Sequence, residues 1–98
     1  MAKARRMVAT FVGRFDLGRY PDWNVRIELA KTIDGRFRTK FGSLIDGHHK
    51  PKAVVAKDGF VSIIYTLLVV DPADFTRAAK ELYALWDPYT VTEHSNRY

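Results

Sequence analysis

The chain has 98 residues, 47% hydrophobic and 13% aromatic, and contains no cysteine. That is enough apolar area for one packed core but not for a second, and it excludes disulfides, thiolate zinc centres and thiol nucleophiles, which fits a reducing, cytoplasmic setting. The net charge is +5, with thirteen Lys and Arg against five Asp and Glu up to Lys57 and three against six beyond it; so lopsided a balance points to an anionic partner for the first half.

Residues 1–98 read as a single α+β domain, with 1–5 and 94–98 expected to be flexible. The stretch after the basic N-terminus is too short and too interrupted by Gly13 and Arg14 for a leader or a membrane span. A first strand carries Phe11, Phe15 and Leu17 at odd positions. Alternation continues through Trp23, Val25, Ile27 and Leu29, then Phe37 and Phe41, and predicts two further strands whose odd side chains face a core. Asp34-Gly35, Asp46-Gly47 and Asp58-Gly59 recur at equal spacing and read as turns of a β-meander. A three-residue loop at Ile33-Asp34-Gly35 would pair Ile27 with Phe41 and Glu28 with Lys40. The same loop at Lys57-Asp58-Gly59 would pair Ala53 with Ile63 and Val55 with Val61.

His48 to Pro51 reads as a loop, since Pro51 has no ladder donor. Phe60 to Val70 is apolar on both faces apart from Ser62 and Thr66, the pattern of a central strand. A helix over about 72–86 follows, with Asp71 as N-cap, Pro72 at the first helical position and a stripe of Phe75, Ala78, Ala79, Leu82 and Trp86. Pro88 stops it, and Tyr89 to Thr92 are free to add a short final strand. The expected fold is therefore an antiparallel β-meander of about five strands with one C-terminal helix packed on one face. In architecture alone, that order resembles the PUR and whirly single-strand-binding folds.

Alternation would send Arg26, Arg36, Arg38 and Lys40 to the solvent side of the second and third strands, where Arg5, Arg6 and Arg14 extend a cationic surface suited to phosphate contact. Phe37 and Phe41 would lie on the opposite, buried side, so backbone contact rather than base stacking is expected. The leading expectation is a non-enzymatic, basic binding domain that contacts a nucleic acid backbone. The alternative is a protein interaction module, such as a small phage-type inhibitor or adaptor, docking through Phe60, Ile64 and Leu68. That apolar even face of the last long strand needs cover, for which a homodimer is the preferred source. A third reading, a ribonuclease-like toxin, rests on His48, His49 and Lys50. Neither a catalytic motif nor a metal or cofactor signature is present, and Tyr20, Trp23 and Tyr98 are the aromatics left near loops or termini.

Overall fold

The computed structural model describes residues 3–91. Strand β1 (Arg5–Phe15) leads to helix α1 (Trp23–Phe41), strands β2 (Lys52–Val55) and β3 (Phe60–Val69), helix α2 (Pro72–Trp86) and a two-residue strand β4 (Thr90–Val91). The four strands form one antiparallel sheet in the order β2-β3-β1-β4. A β-α-β-β-α-β chain with its first and third strands at the centre is the split βαβ arrangement of ferredoxin-like folds. Of the segments expected to be flexible, 1–5 and 94–98, residues 1–2 and 94–98 lie outside the described residues, as do His94 and Tyr98, while Arg5 already belongs to β1.

This overturns the five-strand meander with a single helix, although the α+β class stands. Residues 23–41, read as two strands joined by an Asp-Gly turn, are one continuous helix. Its start is built by Asp22, whose side chain accepts the Asn24 N–H at 2.8 Å, as an N-cap should. Its buried residues are Arg26, Ala30, Ile33, Phe37 and Phe41, a stripe at helical spacing that runs across the odd-even alternation. Val25, expected inside, is exposed. Gly35 lies mid-helix with open space around it, where glycine costs about 1 kcal/mol relative to alanine. Tertiary contacts on either side offset that cost: Tyr65 Oη–H donates to Asp34, and the Phe37 ring stacks on Tyr65 with centroids 4.3 Å apart. With a helix after the first strand, the resemblance to PUR and whirly architecture lapses.

The alternation holds where the chain is extended. Phe11 and Phe15 on β1 and Val61, Ile63, Tyr65, Leu67 and Val69 on β3 are buried, and both helices pack over this odd face. Leu17, assigned to the same set, is beyond β1 and exposed. Helix α2 occupies the expected span, with Asp71 accepting the Ala73 N–H, and brings Ala78, Leu82 and Trp86 to the core. Trp86 stacks on Phe11 at 5.3 Å and meets Phe15 edge-on. The β2-β3 hairpin pairs Ala53 with Ile63 and Val55 with Val61. Gly59 closes its three-residue loop at φ +101°, a left-handed conformation that glycine adopts without strain.

Candidate binding surface

The helices cover one side of the sheet, and among the described residues nothing covers the other. Its side chains are the even positions of β1, β2 and β3, arranged in rows by the antiparallel register. Arg6 lies beside Leu68 and Val8 beside Thr66, while Ile64 lies between Lys52 and Thr10, Ser62 between Val54 and Val12, and Arg14 between Phe60 and Val91. Val8, Val12 and Val54 are 55%, 53% and 51% exposed. The face therefore carries exposed aliphatic side chains with cations at both ends of β1, and none of its strand positions is Asp or Glu.

Buried carboxylates or turn groups hold the end cations in place. Arg6 Nε donates to Asp46 Oδ2 at 2.9 Å, and Asp46 is only 1% exposed. The other Asp46 oxygen accepts the His48 backbone N–H at 3.0 Å. That backbone bond, then Arg6, and then His49 outweigh burial and lower the Asp46 pKa to about 2. An ionised carboxylate only accepts, so His49 Nδ1 carries the proton in its 2.9 Å contact with Asp46 Oδ2 and leaves Nε2 on the outer edge of the ring. At the opposite end Arg14 Nη1 donates to the Asp58 carbonyl at 3.1 Å, with the Asp58 carboxylate 4.0 Å away. The loop before β2 sets His48, His49, Lys50 and Lys52 around a groove floored by Val8, Ile64 and Thr66. Among the described residues no group of His, Asp and Glu is arranged to hold a metal ion, and no helix is long and apolar enough to cross a membrane.

The structure divides the residues singled out from sequence. Arg6, Arg14, Phe60, Ile64 and Leu68 come together on the open face, whereas Arg5 pairs with Val69 and so takes the odd side of the sheet, away from it. Arg26, Arg36, Arg38 and Lys40 do not form the expected sheet surface, because all four lie on α1. Arg26 is 1% exposed, and its guanidinium donates to the carbonyls of Tyr20, Pro21 and Lys57 at 2.8–2.9 Å. It ties the β1-α1 loop to the β2-β3 hairpin. Arg38 pairs with Asp34 one turn away, and Lys40 with Glu81 of α2, both at 2.8 Å; Arg36 is exposed and has no partner among the described residues. Tyr20 and Trp23 serve packing: Tyr20 meets Tyr89, and Trp23 Nε1–H donates to Val55 O at 2.8 Å. Sequence reasoning missed Asp46 and the pairing of Arg6 with His49 through it. The signal was the Asp46-Gly47-His48-His49 string, an Asp two residues before an N–H that it can cap.

Fold and surface together define a class of molecule: a small βαββαβ module with one packed and one bare sheet face. Searches against family models, curated proteins and solved structures find no match for the chain.

Proposed function

We propose that the protein is a non-enzymatic interaction module that docks, through its open sheet face, on a protein surface with an aliphatic centre and a carboxylate-rich rim. One observation carries this reading. Exposed Val8, Val12 and Val54 share a single face with Arg6, Arg14 and Lys52, and the two carboxylates beside those arginines, Asp46 and Asp58, come from flanking loops and leave Lys52 to a partner. Contiguous exposed apolar surface rimmed by polar groups is the usual mark of a protein interface. Cations at the ends favour an acidic partner and add speed and specificity to association. Net charge +5 disfavours a second copy as the occupant. Phe60, at one corner, is the face's single aromatic, which gives little stacking for nucleic acid bases.

The reading is tested by selecting binders from a displayed library of random peptides and challenging them with variants. Selected sequences should combine Asp or Glu with Val, Ile, Leu or Phe, and binding should be lost with Val12→Asp but kept with Arg36→Ala. Three results would overturn it: peptides without acidic residues, a dimer in sedimentation that Val12→Asp dissociates, or salt-sensitive oligonucleotide binding lost with Arg6→Ala and Arg14→Ala while no peptide is selected. The last would restore the nucleic-acid reading on Arg6 and Arg14, without the four cations of α1.

A further inference from the structure

The groove at the β2 end of the open face combines charge and apolar surface in a way the rest of the face does not. His49, Lys50 and Lys52 wall it, above a floor of Val8, Ile64 and Thr66, and no Asp or Glu lines it. Lys50 and Lys52 are exposed and have no partner among the described residues, whereas Arg6, Lys31, Arg38 and Lys40 each pair with a carboxylate. Asp46, which anchors the loop, is 1% exposed and already bound by Arg6, the His48 N–H and His49. A second, independent feature is the His49 ring. Its Nδ1–H is committed to Asp46 at 2.9 Å, so in the uncharged ring Nε2 is left as an acceptor.

We infer that this groove binds a phosphate monoester on an aliphatic stem, borne by the partner as a phosphorylated serine or threonine next to an apolar residue. Lys50 and Lys52 meet the ester's charge, the Thr66 hydroxyl donates to one of its oxygens, and Val8 and Ile64 pack against the stem. The His49 acceptor selects the class of anion. A phosphate monoester can still bring a proton near neutrality, because its second dissociation falls at about pH 6, and that P–O–H donates to Nε2. A carboxylate has given up its proton at about pH 4 and sets a lone pair against a lone pair. The phosphodiester of a nucleic acid has no proton to bring either, and the groove has no aromatic ring on which to stack a base. The inference rests on the docking reading for the protein that carries the phosphate; at this end of the face the partner's anion is a phosphate in place of a carboxylate.

Nuclear magnetic resonance of the full chain at neutral pH, with carbon-13 in the methyl groups and histidine rings, tests this with three probes that share one stem: isobutyl phosphate, diisobutyl phosphate and isovalerate. Isobutyl phosphate should shift the Val8 and Ile64 methyls and the His49 ring, and bind about tenfold more tightly than the other two. His49→Phe, which keeps a ring at an exposed position, should remove most of that preference. Lys50→Ala combined with Lys52→Ala should weaken isobutyl phosphate about tenfold, and Arg36→Ala should leave it unchanged. Acetyl-valyl-phosphoseryl-valinamide should compete with isobutyl phosphate, and the same peptide with unmodified serine should not. Val12→Asp, outside the groove, should leave isobutyl phosphate binding intact, so that failure of the docking reading, in which no peptide is selected, is seen separately from failure of the groove. The proposal is overturned if isobutyl phosphate shifts none of these signals at millimolar concentration, if isovalerate binds as tightly, if His49→Phe keeps the full preference, or if the phosphoserine peptide does not compete. Equal binding of diisobutyl phosphate would also overturn it, in favour of a nucleic acid backbone.

Discussion

The two faces of the sheet are built from the same strands yet follow opposite rules. On the odd face Phe11, Phe15, Val61, Ile63, Tyr65, Leu67 and Val69 are buried beneath two helices and interlock with Trp86, Leu82 and Phe37. On the even face Val8, Val12 and Val54 stand in water with Arg6 and Arg14 at the ends of their strand. Both faces are rich in β-branched and aliphatic side chains, so hydrophobicity alone does not tell a core from an interface. The cations do: the covered side admits one, Arg26, and only with its Nη groups bound to three backbone carbonyls, whereas the bare side keeps its cations at the solvent boundary.

The contrast breaks most severely if the covered face loses its largest side chain. Trp86→Ala removes an indole that contacts both Phe11 and Phe15 and is expected to lower unfolding free energy by about 4 kcal/mol in urea titrations. Arg26→Ala leaves the Tyr20, Pro21 and Lys57 carbonyls without their donor and should cost about 3 kcal/mol by the same measurement. An Arg26 on an exposed strand, by comparison, would be nearly neutral. Tyr65→Phe keeps the stacking on Phe37 but deletes the bond to Asp34, a loss of about 1 kcal/mol. Burial first, and the Asp34 carboxylate second, raise that hydroxyl's pKa above the ordinary tyrosine value.

On the open face the expectation reverses. Val12→Asp should change stability by less than about 0.5 kcal/mol while eliminating partner binding. A large loss of stability would mean that the bare face is structural after all. A separate effect concerns acid. Asp46 is lowered from an ordinary 3.8 to about 2, so its stabilising contribution is present above the ordinary value and disappears as pH falls toward the lowered one. Asp46→Asn should therefore show a shallower loss of stability than the parent between about pH 5 and pH 2 in acid titrations followed by circular dichroism.

Legibility from sequence follows how many independent signals agreed. Helix α2 was readable because Asp71, Pro72 and the stripe ending at Trp86 point the same way, and capping and periodicity are local properties. The β2-β3 hairpin was readable because residue parity and Gly59 both require a three-residue loop. Helix α1 was misread because Trp23, Val25, Ile27 and Leu29 alternate by chance and Asp34-Gly35 mimics a turn. The competing helical stripe passes through Arg26, a residue no apolar pattern would include. That one misreading displaced Arg26, Arg36, Arg38 and Lys40 from the proposed surface. Arg6 and Arg14 were recognised as cations and Phe60, Ile64 and Leu68 as an uncovered patch, but as two separate features. Only the pairing of β1 with β3 merges them, because residues as far apart as Arg6 and Leu68 become neighbours through a register that neither strand contains alone.

By itself the sequence determined what depends on neighbours along the chain: which residues of β1 and β3 turn inward, where α2 starts and stops, and which loop joins β2 to β3. The tertiary structure decided what depends on distant groups competing for the same backbone. It made residues 23–41 helical, since burial of Ile33 and of Phe37, stacked on Tyr65, outweighs both the glycine at 35 and the strand-like alternation. It also left one sheet face bare, because both helices are needed over the odd side and none remains for the even one.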